Sequence, residues 1–79
     1  MATYNAAPAT VIKATCQGLS SSGALSIPGL QIGDVVIKIQ PAGFDGGFED
    51  AVSIAGQLQQ TTNLDWSPVA FTFYLLRGV

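Results

Sequence analysis

The segment Val69-Ala70-Phe71-Thr72-Phe73-Tyr74-Leu75-Leu76 reads as a β-strand with no water-facing side. Side chains alternate between the two faces of a strand. Val69, Phe71, Phe73 and Leu75 therefore share one face, and Ala70, Thr72, Tyr74 and Leu76 share the other. The second face is nearly as apolar as the first. A strand buried on both sides needs a layer on both sides. A chain of 79 residues has little material for two layers. The second is either a helix formed by residues 48–58 or another chain.

The length allows one domain. A domain this small buries only about 60% of the surface its unfolded chain exposes, and disulfides, metals or oligomerisation usually make up the deficit. Cys16 is the single cysteine and there is no histidine, so neither an intrachain disulfide nor a His/Cys metal centre is available. Oligomerisation remains. Charge points the same way. Eight residues are charged: Lys13, Lys38, Arg77, Asp34, Asp45, Glu49, Asp50 and Asp65. That is 10% of the chain, against about 25% in an ordinary soluble domain. So little charge suits a protein covered by neighbours. Three scattered cations make no track for a nucleic-acid backbone. No apolar run is long enough for a membrane-spanning helix, and the first residues lack the pattern of a signal peptide. The expectation is a chain made in a cytoplasm, with no nucleic-acid or membrane partner. Cys16 is expected to be a reduced, small apolar core residue.

Turn signals divide the chain. Residues 1–9 are small and polar with Pro8, and read as a flexible N-terminal arm before a single β-rich domain at 10–79. Residues 10–17 read as a strand with Ile12, Ala14 and Cys16 inward; residues 24–27 form a short strand with Leu25 and Ile27 inward. Gly33-Asp34 turns into residues 35–40, where the alternation puts Val35, Ile37 and Ile39 inward and Val36, Lys38 and Gln40 outward. Residues 48–60 read best as a strand broken at Gly56 and resumed at 57–60. The helical alternative strands Ile54 in solvent and puts a glycine mid-helix. The fold class is therefore all-β, a small antiparallel β-sandwich or barrel of five to six short strands. The alternative is α+β with one helix at 48–60.

No constellation of side chains carries chemistry. Asp45, Glu49 and Asp50 lie among glycines but lack the spacing of a calcium loop and read as a solvated turn. Nothing pairs two of the five carboxylates as acid and base, and Ser20, Ser21 and Ser22 have no histidine to activate them. No enzyme, catalytic residue, cofactor or metal is expected. Trp66, Phe71, Phe73 and Tyr74 form an aromatic group near the C-terminus. With Ala70 and Leu76 they are the candidates for a subunit interface. Gln57, Gln59 and Gln60 read either as a solvated edge strand or as side chains bonding between symmetry-related chains. Gly29-Leu30-Gln31-Ile32-Gly33-Asp34-Val35-Val36-Ile37-Lys38-Ile39 resembles the segment that leads into a core strand of PDZ domains. The carboxylate-binding loop and long helix of that family have no counterpart, and turn chemistry alone accounts for the segment.

Taken whole, the chain resembles the small accessory structural proteins of tailed bacteriophages: capsid decoration or cement subunits, head fibres and tail-fibre modules. The resemblance lies in the Ala/Gly/Ser/Thr-rich leader, the Gly29–Val36 turn and strand, the stretch from Gly56 to Thr62, and the apolar end Phe71-Thr72-Phe73-Tyr74-Leu75-Leu76-Arg77. It implies a non-enzymatic, β-rich virion subunit, assembled in the host cytoplasm as a homo-oligomer (a trimer by analogy). Its partners would be other virion proteins such as the major capsid protein. Two other readings stand beside it. One is a β-rich module that binds a peptide or glycan on a platform of Trp66 and Tyr74; the other is a receptor-binding tail component.

Overall fold

A computed structural model describes residues 2–4, 6 and 8–78; Met1, Asn5 and Ala7 of the expected arm, and Val79, lie outside the described residues. The described residues before Thr10 have no regular secondary structure and are exposed. Five strands follow: β1 (Thr10–Gln17), β2 (Gly23–Ser26), β3 (Val35–Gln40), β4 (Gln57–Gln60) and β5 (Ala70–Arg77), with a short 3₁₀ turn at Asp45–Gly47. They form two antiparallel sheets, a three-stranded one in the order β1-β5-β3 and a two-stranded one of β2 and β4. The chain is all-β, a small sandwich without barrel closure.

The last strand is the centre of the larger sheet. Thr10 to Gln17 run antiparallel to Arg77 to Ala70 in unbroken register. The inward face of β5 supplies Phe71, Phe73 and Leu75, all essentially inaccessible. They pack with Ala14 and Ile39 from the flanking strands and with Leu25 and Leu58 from the second sheet. Burying side chains of this size contributes about 1.5–3 kcal/mol each, so this face contributes substantially to stability.

Residues 48–56 form no helix. Phe48 and Val52 are buried in the core, and the backbone makes isolated bridges, Phe48 with Gln60 and Val35 with Ala51. Val36 N–H donates to the Asp50 carbonyl and Val52 N–H to the Asp34 carbonyl, each at 2.8 Å. This segment therefore runs along the outer edge of β3 and adds to the inner layer. The first half of the expected strand at 48–60 is reduced to these bridges, and β4 completes the second half.

One expectation about β3 is corrected. The register shifts between Val36 and Lys38, so Val36 lies opposite Leu75 while Lys38 lies opposite Tyr74. Ile37 is the extra residue of a β-bulge. Val36 accordingly packs on the core, Val35 pairs with Leu76 on the outer face, and Ile37 is 51% exposed. Simple alternation puts Val35 and Ile37 inward; only Ile39 keeps that place.

Among the described residues two polar side chains are wholly buried, Asp34 and Gln60. Asp34 accepts from Arg77 through both oxygens, Nε to Oδ1 at 3.0 Å and Nη2 to Oδ2 at 2.8 Å, and from the Gln31 N–H at 2.9 Å. Arg77 also donates to the Gly29 carbonyl. The end of β5 is thus tied to the turn before β3. The Arg77 hydrogen bond holds the Asp34 carboxyl below its usual range, against the opposing effect of burial, and Asp34 raises Arg77 in turn. Gln60 accepts from the Leu19 N–H at 2.9 Å. Its Nε2 faces four carbonyl oxygens, of Leu19 and Ser21 at 3.3 Å and of Thr62 and Leu64 at 3.1 Å. One side chain therefore fastens two loops together. The glutamine run does not offer Gln60 to a neighbouring chain; its partners are backbone groups of its own chain.

Candidate assembly surface

The register of the three-stranded sheet arranges its outer face in rows. Val11, Leu76 and Val35 stand side by side, then Lys13, Tyr74 and Lys38, then Thr15, Thr72 and Gln40. The first row is aliphatic, the second cationic around an aromatic ring, the third neutral and polar. Solvent reaches the whole face. Val11 is 63% exposed, Lys13, Thr15, Lys38 and Gln40 are exposed, and Tyr74 and Leu76 are half-buried between their neighbours. None of these residues belongs to the core.

Two of the three cations lie on this face, and Lys38 also borders the cleft that Glu49 and Asp50 line. Arg77 is engaged by Asp34, which leaves Lys13 and Lys38 as the cations without an ion pair among the described residues, and both sit in the same row. Glu49 is occupied elsewhere, accepting from Ser53 Oγ and from the Gln59 N–H. Asp65 accepts from both the hydroxyl and the N–H of Ser67, which lowers its carboxyl pKa. Beside β3 a shallow cleft of about 130 Å³ is lined by Val36 to Ile39 with Glu49 and Asp50. It follows the bulge and holds no grouping of catalytic type. Among the described residues, no set of three or more His, Cys, Asp or Glu side chains could hold a metal ion, and no helix is long and apolar enough to cross a membrane. Cys16 is half-buried on the inner face of β1, and burial pushes its thiol pKa up.

The six interface candidates fall on two sides of the sheet. Phe71 and Phe73 are in the chain's own core. Trp66 packs on that side as well, edge-on to Phe44 at 4.9 Å between centroids and tilted against Phe48 at 5.5 Å and Phe71 at 5.8 Å. Its seat is cut to size by two glycines: a Cβ on Gly47 would run into the Trp66 ring, and one on Gly18 into the Trp66 backbone and the Phe71 ring. Tyr74 and Leu76 lie on the outer face, and Ala70 is exposed at the start of β5. Trp66 and Tyr74 thus occupy opposite faces and form no common platform. Alternation already turns Val11, Lys13 and Lys38 outward, but the strand order that joins them on one face, and the bulge that adds Val35 and Ile37, are not legible in the sequence. Comparison with known proteins adds no relative: no family model matches the chain, nor does any curated protein or solved structure.

Proposed function

We propose that this chain is a non-enzymatic structural subunit whose outer sheet face is covered by a partner, and that the assembly is a virion. Within that class a capsid-decorating or cement role is the leading reading, with the major capsid protein as the docking partner and self-association accompanying docking. The observation that carries the proposal is the row Val11-Leu76-Val35, continued by Ile37 and Tyr74, on a face that the chain's own core does not use. Apolar residues grouped on one exposed face are typical of interaction sites. The scarcity of charge supports the same reading.

The test is cryo-electron microscopy of particles of the phage whose genome encodes the chain, assembled with the wild-type protein or with Leu76→Asp. The expected result is density on the head lattice that disappears with the variant, while the isolated variant remains folded. Density confined to the tail, or particles free of the protein, would reject the capsid assignment.

A further inference from the structure

The two edges of the larger sheet differ. At β3 the edge is obstructed: residues 50–52 bond to its first half, the bulge at Ile37 breaks its line, and Pro41 follows directly. These are ordinary means of keeping a sheet edge from pairing. At β1 none of them is present. Eight residues run in unbroken register with β5, without proline or bulge, and with Lys13 as the one charge. The Gly18 N–H bonds to the Val69 carbonyl and so sets the phase of the ladder. Even-numbered residues of β1 turn their N–H and C=O groups to β5, and Val11, Lys13, Thr15 and Gln17 turn theirs to the open edge. Those four residues are exposed, and among the described residues no other segment bonds to their N–H groups.

We infer that this edge pairs with the same edge of a second copy, antiparallel and two-fold, with Ala14 opposite Ala14. Charge selects this register. Centred on Lys13, the pairing would line up Lys38, Tyr74 and Lys13 with the same three residues of the second copy, four ammonium groups in one row. Centred on Thr15, it would use only residues 13–17. Centred on Ala14, it sets Lys13 opposite Thr15 of the second copy and uses residues 11–17 of both, with about eight backbone hydrogen bonds over about 24 Å. The row Lys38-Tyr74-Lys13 then continues into Thr15, Thr72 and Gln40 of the second copy, so cationic donors meet neutral oxygen acceptors. The smallest inward side chain of β1 lies on the axis, where paired strands come closest. The product is a six-stranded sheet with both copies' outer faces on one side. The elementary contact is then two-fold, unlike the trimer that the phage resemblance implies.

The inference extends the proposed self-association and is tested on the isolated chain by sedimentation velocity over a concentration series. Thr15→Lys sets two like-charged pairs across the axis and should weaken the dimer about tenfold; Thr15→Glu places a carboxylate opposite Lys13 of the other copy, twice over, and should tighten it about fivefold. Both shifts should shrink in high salt, and the neutral Thr15→Gln should match the wild type. Thr15 is exposed, so circular dichroism should show all three variants folded. A wild-type monomer at millimolar concentration overturns the pairing, as does equal affinity across the series. Weakening by Thr15→Glu overturns the Ala14 register. A monomer that still docks on the particle rejects the pairing alone, and a dimer that docks on nothing rejects the functional reading alone.

Discussion

Replacing Gln60 by glutamate keeps the shape of the side chain and inverts its chemistry. The Nε2 donor faces four carbonyl oxygens at 3.1–3.3 Å, and a carboxylate oxygen there would face the same four with nothing to donate. The side chain is 1% exposed, so water offers no relief. The folded state would therefore take up a proton. From an ordinary glutamate pKa of about 4.3, protonation at pH 7 costs about 3.7 kcal/mol. The neutral acid donates one hydrogen where the amide donated two, which adds about 1–2 kcal/mol. The sum, about 5 kcal/mol, compares with a total stability of about 4–12 kcal/mol for a chain of this length. The folded-state pKa is raised, so the unfolded state holds fewer protons and stability falls as pH rises. Near pH 4.5 the ionisation cost has fallen to about 0.6 kcal/mol, and the lost hydrogen bond dominates what remains. Urea denaturation followed by Trp66 fluorescence should show Gln60→Glu barely folded at pH 7 and recovering about 3 kcal/mol by pH 4.5. Gln60→Met, which removes the donor without adding charge, should be pH-independent and lose about 2–4 kcal/mol. A glutamate variant as stable as the methionine variant at pH 7, or one without pH dependence, would refute the account of this site.

Gly47→Ala forces a methyl group into the Trp66 ring and should cost about 2–3 kcal/mol, with a red shift of the tryptophan emission as the ring is displaced. Asp34→Asn should lower the Tm at pH 7. Because the Asp34 pKa is depressed, the ion pair stabilises above the unfolded-state value and is lost as pH falls through the folded-state value. The acid limb of a Tm–pH profile should therefore be shallower in the variant. Leu76→Asp should stay folded, losing about 1 kcal/mol, because Leu76 lies outside the core; global unfolding in far-ultraviolet circular dichroism would mean that the outer face carries more of the stability than its exposure implies.

Strand positions are legible wherever β-branched or aromatic residues run between strong turn signals. β1 and β3 begin and end where the pattern puts them, and β5 is shifted by one residue. The orientation of β3 is not legible. Val35-Val36-Ile37 has no polar residue to mark a face, so the sequence does not reveal which of the three is the bulge. The role of Gln60 is hidden for a different reason. Its carbonyl partners Leu19 and Ser21 belong to a loop far back in the chain, and local composition carries no trace of such a contact. The same is true of Asp34, whose turn bond to Gln31 is a local habit of aspartate, whereas its bond to Arg77 spans 43 positions. The apolar outer face of β5 is legible; the two lysines beside it become part of a surface only through register.

The central place of β5 also sets the order in which this protein can form. β1 and β3 pair with β5 and not with each other, yet β5 is the last of the five strands to leave the ribosome. Until it emerges the larger sheet has no template: β1 has no partner strand, and β3 has only its bonds to residues 50–52. Such distant pairings make folding slow, since the entropy of closing long loops must be met before any contact rewards it. A nascent or truncated chain ending before Ala70 would hold β1 without its partner strand, with Lys13 as the one charge along it. The interval before β5 arrives is therefore when β1 is most exposed to pairing with the wrong neighbour.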